Sequence, residues 1–148
     1  MAIDITAPII PCGSAGLIIL GYPLESVVPN TEEDFVSERV VLEAIGDLGV
    51  TRYHSACVDF WTDRDNIVYQ VMVHDDYTGK LLGKIGIGSL LSDVEQFLGR
   101  ISVIDDSLVI KGLPGISFEP EFDQPDSPII EIYVWKPDWT EIHQHQTH

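Results

Sequence analysis

Apolar and polar positions along the chain change period several times, and each change marks an expected element. Gly16 to Leu20 is a compact apolar run bounded by Gly21-Tyr22-Pro23, which reads as a short buried strand. Leu24, Val27 and Val28 then fall on one side of a turn of helix that Pro29 ends. Thr31 followed by Glu32, Glu33 and Asp34 suits a helix start, with acids at the positive end of the dipole, so the pattern predicts a short helix over 32–38. From Val40 the period becomes that of sheet. Tyr53, Ser55, Cys57, Asp59 and Trp61 alternate with His54, Ala56, Val58 and Phe60, which predicts one strand apolar on at least one face. The turn Thr62-Asp63-Arg64-Asp65-Asn66 and the β-branched run 67–73 complete an antiparallel hairpin. Another turn, Asp75 to Gly79, precedes an apolar segment at 81–87.

The clearest helical signature lies at 90–98, where Leu90, Leu91, Val94, Phe97 and Leu98 share a face and Gly99 supplies the stop, with Ser89 a fair N-cap. Short strands are expected at 101–104, 108–111 and 116–118, a proline-rich acidic loop at 120–128 and a last strand at 129–135. These elements predict an α+β fold, a mainly antiparallel sheet with a few short helices. Leu20-Gly21-Tyr22-Pro23-Leu24-Glu25-Ser26-Val27 and Ile87-Gly88-Ser89-Leu90-Leu91-Ser92-Asp93-Val94 lie 67 residues apart and resemble each other. That similarity raises the expectation of two helix-then-β-meander units around one core. Residues 1–136 are read as a single globular domain and 137–148 as a polar, mobile tail.

Composition sharpens the picture mainly through charge. Eight Lys and Arg against 24 Asp and Glu leave a formal net charge of −16. Nucleic acid and anionic lipid are repelled by such a surface, because binding them relies on cationic side chains displacing counterions. The same field speeds encounter with a basic protein. Cys12 and Cys57 are two lone thiols rather than a disulfide framework, no run approaches the ~18 apolar residues of a membrane span, and Met1-Ala2-Ile3-Asp4 has no basic leader. A cytoplasmic, membrane-free location is the expectation.

The motifs of catalysis and cofactor binding are incomplete. Gly13-Ser14-Ala15-Gly16 lacks nucleophile-elbow spacing, and Gly83-Lys84-Ile85-Gly86-Ile87-Gly88-Ser89 fits neither the phosphate loop nor the dinucleotide fingerprint. His143, His145 and His148 cluster near the chain end, where they can capture adventitious metal; Asp63-Arg64-Asp65-Asn66 lacks the glycine and distal glutamate of a calcium loop and reads as a solvated turn. His54 and His74 flank strands and read as structural. No enzyme, cofactor or metal follows from these residues. The C-terminal third is more informative, since Phe118, Phe122, Tyr133, Trp135 and Trp139 are interleaved with seven acids and the lone base Lys136. Aromatic anchors ringed by carboxylates are the composition of an interface with a basic partner, and Glu119, Glu121, Phe122, Asp123, Asp126 and Trp139 are the candidate contacts.

The segment from Ile85 to Gly99, followed by Leu113-Pro114-Gly115-Ile116-Ser117-Phe118-Glu119, resembles a pattern in small bacterial immunity proteins that neutralise polymorphic or contact-dependent toxins. It covers about a quarter of the chain. Its glycine, Asp-Val and terminal Leu-Gly also resemble the helix-before-meander motif of BamE-like domains. The immunity resemblance implies a cytoplasmic inhibitor that binds one cognate toxin domain, often a basic nuclease, with no catalytic residues of its own. Two other classes stay open: a small hydrolase or lyase using carboxylates or an acquired metal at Asp63 and Asp65, and a structural subunit self-associating through an exposed strand at 129–135.

Overall fold

A computed structural model describes residues 3–27, 34–44 and 46–136. Two short strands, β1 (Ser14–Ala15) and β2 (Ile18–Ile19), form a small hairpin, and Leu24–Ser26 makes a single 3-10 turn. The rest of the sheet structure is one eight-stranded antiparallel sheet of β3 (Val36–Leu42), β4 (Gly46–His54), β5 (Val58–Thr62), β6 (Val68–His74), β7 (Ile101–Ile104), β8 (Ser107–Ile110), β9 (Leu113–Pro120) and β10 (Ile129–Trp135). Helix α1 (Leu91–Leu98) lies between β6 and β7 in the chain. The order in the sheet is β3-β4-β5-β6-β10-β9-β8-β7, so two four-stranded meanders meet along β6 and β10.

Two rows of apolar side chains cross the middle of the sheet and make its core face. One is Val58, Val73, Ile132 and Phe118; the other is Phe60, Val71, Val134 and Ile116. All eight are at most 1% exposed. Tyr53 on β4 extends the second row by stacking on Phe60, with ring centroids 4.7 Å apart. Irregular chain covers most of this face. Ile9, Ala15, Ile18 and Leu20 come from the N-terminal segment, Tyr77, Leu81 and Ile85 from the connection after β6, and Leu91 and Val94 from α1. Leu81 and Ile85, both fully buried, close a tight turn in which the Leu81 and Ile85 amides donate to each other's carbonyls.

The expected α+β class is overturned. The described residues contain one α-helix and are mainly β, and the two halves do not repeat a helix-then-meander unit, because only the 3-10 turn stands where the first half needed its helix. The helix expected over 32–38 gives way to β3, whose Val36, Val40 and Val41 favour the extended chain once β4 offers a ladder; residues 32 and 33 lie outside the described set. The expected single strand through Tyr53 and Trp61 is two, β4 and β5, joined by a turn at residues 55–57 that Ser55 closes on the Val58 carbonyl. Ser89 is not the N-cap of α1. Leu90 holds that place, and the amides of Leu91 and Ser92 donate to the carbonyls of Ser127 and Pro125 at 3.0 and 2.9 Å. An acid in the first turn, Asp93, accepts from the Leu90 amide at 3.2 Å.

Candidate functional site

The turn between β4 and β5 fixes which side chains share the second, open face of the sheet. Because His54 pairs with Asp59, and Arg52 with Trp61, these four point away from the apolar rows. Asp59 pairs in turn with Met72 on β6, whose neighbour His74 pairs with Glu131 on β10, which pairs with Glu119 on β9. The result is a band of ionisable groups across five adjacent strands, β4-β5-β6-β10-β9, at one end of the sheet.

Asp59 is the hub of that band and is completely buried. Its Oδ1 lies 2.8 Å from His54 Nδ1 and 2.8 Å from His74 Nε2, while Arg52 donates to Oδ2 through Nε at 2.8 Å and through Nη2. His74 is itself clasped from the other side by Asp75, whose Oδ2 lies 2.5 Å from Nδ1. The two imidazoles stack, with centroids 5.7 Å apart and planes 4° from parallel. Burial pushes the Asp59 carboxyl up, yet hydrogen bonds from His74 and Arg52, the Arg52 charge and the His54 hydrogen bond outweigh it and hold the carboxyl below its ordinary range. Bonding to Asp59 raises His74 against the opposing effect of its own burial, with Asp75 adding to the rise. A neutral imidazole satisfies only one of two flanking carboxylates, so this arrangement favours positive charge at His74.

Toward the other strands the open face turns aromatic and then acidic. The Arg52 guanidinium lies 5.4 Å from the Trp61 ring, and Trp61 sits 6.1 Å from Tyr133. The Tyr133 hydroxyl donates to Glu131 at 3.0 Å; burial and the Glu131 charge both push that phenol up. Glu119 faces Glu131 directly across the β9–β10 ladder, and its carboxyl is raised, first by partial burial and then by Glu131. Like charges opposite one another weaken a sheet. Glu119→Gln is therefore expected to raise stability by about 0.5 kcal/mol, a gain that salt reduces. The sign follows from the raised pKa: ionisation disfavours the folded state, so the gain is absent below about pH 4, where both states are protonated, and complete above the folded-state pKa. Urea titrations of both proteins at several pH values would show it, and a destabilised variant would contradict it.

Of the residues that the sequence singled out, Glu119 thus belongs to the open face. Glu121, Phe122, Asp123 and Asp126 lie together, all exposed, on the loop between β9 and β10, and Trp139 lies outside the described residues. That loop is tied down at several points. Glu121 N–H donates to the Pro128 carbonyl at 3.0 Å, Phe122 N–H to the fully buried Ser127 hydroxyl at 2.9 Å, and the carbonyls of Pro125 and Ser127 cap α1. Asp63 has a local task, accepting the amides of Asp65 and Ile67 at 2.9 and 3.1 Å to close the β5–β6 turn. The strand 129–135, expected as an exposed edge for self-association, is β10 in the middle of the sheet with both ladders filled; the edges are β3 and β7.

Fold and site together define a mainly-β protein of two joined meanders whose open face carries a histidine–carboxylate hub beside an acidic end. No family model matches the chain, and no curated protein matches it. A solved structure, the uncharacterized protein yfeY from Escherichia coli, is similar with a TM-score of 0.60 at 15% identity, over 85% of this chain and 98% of that one. At such identity the likeness is one of fold alone. Among the described residues no helix is long and apolar enough to cross a membrane.

Proposed function

We propose that the chain is a binding protein for a basic protein partner, of the immunity type that masks a cognate toxin domain, and that it docks through the acidic end of the sheet. The observation that supports this most is the β9–β10 loop: six consecutive exposed residues, 121–126, present three carboxylates around Phe122, which is 45% exposed, on a backbone held by the helix terminus and by Ser127. A loop fixed before binding loses little entropy on docking, and an aromatic ring among carboxylates supplies an apolar anchor with a charged rim. Glu119 and Glu131, held face to face despite their repulsion, extend the same negative surface onto the sheet. Retaining a pair that costs stability is intelligible where the charge serves a partner.

The test compares the wild-type chain with the E119Q/E121Q/D123N/D126N variant as baits for proteins of the source cell at low and high salt. The substituted side chains are exposed, so the variant is expected to melt close to wild type. One basic protein retained by the wild-type bait at low salt, with an association rate reduced roughly 10–100-fold for the variant, is the expected result. Equal retention by both baits, or by neither, overturns the proposal.

A further inference from the structure

The hub around Asp59 has a property that docking does not use. Three ligand-type atoms on three strands, His54 Nδ1, Asp59 Oδ1 and His74 Nε2, lie within 4.8 Å of one another. Neither histidine faces the site by accident of a flexible chain. His74 is buried between two carboxylates, and His54 is held at the end of β4 by its pairing with Asp59. Arg52 occupies Asp59 Oδ2 and leaves Oδ1 to the histidines.

The tautomers decide what can fill the gap. When the Nδ1–H of a neutral His74 donates to Asp75, the Nε2 lone pair is turned toward Asp59 Oδ1, 2.8 Å away. Two lone pairs at that distance repel unless a positive species lies between them. A proton on each facing nitrogen meets the requirement, and so does a single divalent cation shared by the two nitrogens and the carboxylate oxygen. Two imidazole nitrogens and one carboxylate oxygen form a donor set for zinc and its first-row neighbours, whereas calcium and magnesium call for six or more oxygens. Asp75 on the far nitrogen of His74 is the outer carboxylate that orients histidines toward metals, and Arg52 plays the same part for Asp59.

We propose that His54, Asp59 and His74 bind a divalent transition-metal ion of the zinc class, with Asp75 and Arg52 as orienting groups. Ligand atoms about a tetrahedral ion with bonds near 2.1 Å stand roughly 3.4 Å apart, so each histidine must withdraw from Oδ1 by about half an ångström. The His54 side chain, 54% exposed, has room for that shift and marks the side from which the ion enters. Three protein ligands leave a fourth position open there to water or to a ligand from a partner. The site stands independently of the docking proposal, since none of its ligands belongs to the β9–β10 loop.

The test uses the full chain with H143Q/H145Q/H148Q, which removes the tail histidines as competing ligands. Zinc titration by calorimetry, and cobalt titration followed by visible absorption, are expected to give one ion per chain and the intense bands of tetrahedral cobalt. His54→Ala on that background should weaken binding at least 10-fold and abolish the bands, while Asp75→Asn should weaken it roughly 10–100-fold. His74 is buried and its replacement endangers folding, so the exposed His54 carries the decision. No saturable binding by the tail-substituted chain, or unchanged affinity in His54→Ala, would overturn the assignment.

Discussion

Asp59→Ala is expected to lower the stability of the metal-free protein by about 3–5 kcal/mol, a large part of what holds a domain of this size together. The cost comes from what is stranded rather than from the bonds lost. His74, whose side chain is only 8% exposed, keeps Asp75 as a partner but loses the acceptor for Nε2, so part of a cationic imidazole is buried against nothing. Arg52, at 38% exposure, can swing its guanidinium into water and recovers some of its hydration. The alanine also leaves a void on β5, between its neighbours β4 and β6. Asp59→Asn should cost less, about 1–3 kcal/mol, because the amide keeps the shape and one acceptor. Urea unfolding in the presence of a chelator would measure both, with unchanged denaturant slopes certifying a common denatured state. A loss below about 1 kcal/mol for alanine would mean that the hub contributes little and that the histidines are solvated by other means.

The hub also shows where reading the sequence stops. The β5–β6 hairpin, α1, β7, β8 and β10 were legible because each has its own period and its own turn residues. In the continuous reading of 53–61, Asp59 shares a face with Tyr53 and lies opposite His54. The turn at 55–57 reverses the chain there, pairs His54 with Asp59 and brings both onto one face. His74 is added only by the register of β6, a non-local quantity. A signal was present nonetheless: an aspartate inside an otherwise apolar strand is a buried charge in search of a counterion, and Arg52, His54, Arg64 and His74 are the cations and imidazoles nearest in sequence. The acidic loop was easier, since Pro125 and Pro128 disfavour regular structure and its carboxylates needed only exposure.

The missing helices have a related explanation. Burying the core face of a sheet calls for a second apolar layer, and an α+β expectation assigns that task to helices. Here one short helix shares it with irregular chain, in which isolated apolar residues such as Ile9, Leu81 and Ile85 face inward without any regular period. Such a layer leaves backbone groups that must be bonded one at a time. The amides of Thr78 and Gly79 both donate to the Ile5 carbonyl, Ile9 N–H to the Lys80 carbonyl, and the Tyr77 phenol donates to Ala7 while accepting from Gly16 N–H.

Gly79 is where that layer is tightest, and Gly79→Ala is expected to destabilise the protein by about 2–3 kcal/mol. A methyl group at this position would fall well inside contact distance of the Ala7 carbonyl oxygen and 2.7 Å from Tyr77 Cε1. Neither can withdraw freely. The Ala7 carbonyl is held by the Tyr77 hydroxyl at 2.7 Å, and the ring is only 2% exposed, packed beneath the N-terminal segment. Relief therefore requires the segment through Ile5, Ala7 and Ile9 to lift from the connection after β6, breaking the bonds to Thr78, Gly79 and Lys80 and exposing the Ile9 side chain. Hydrogen exchange would separate this from a general loss of stability. The amides of Ile9, Thr78 and Gly79 should exchange far faster in the variant, while those in the middle of β6 and β10 should follow only the global change. Uniform acceleration across the sheet would mean that the N-terminal segment and the strands unfold as one cooperative unit, and wild-type exchange throughout would place the segment elsewhere than against Gly79.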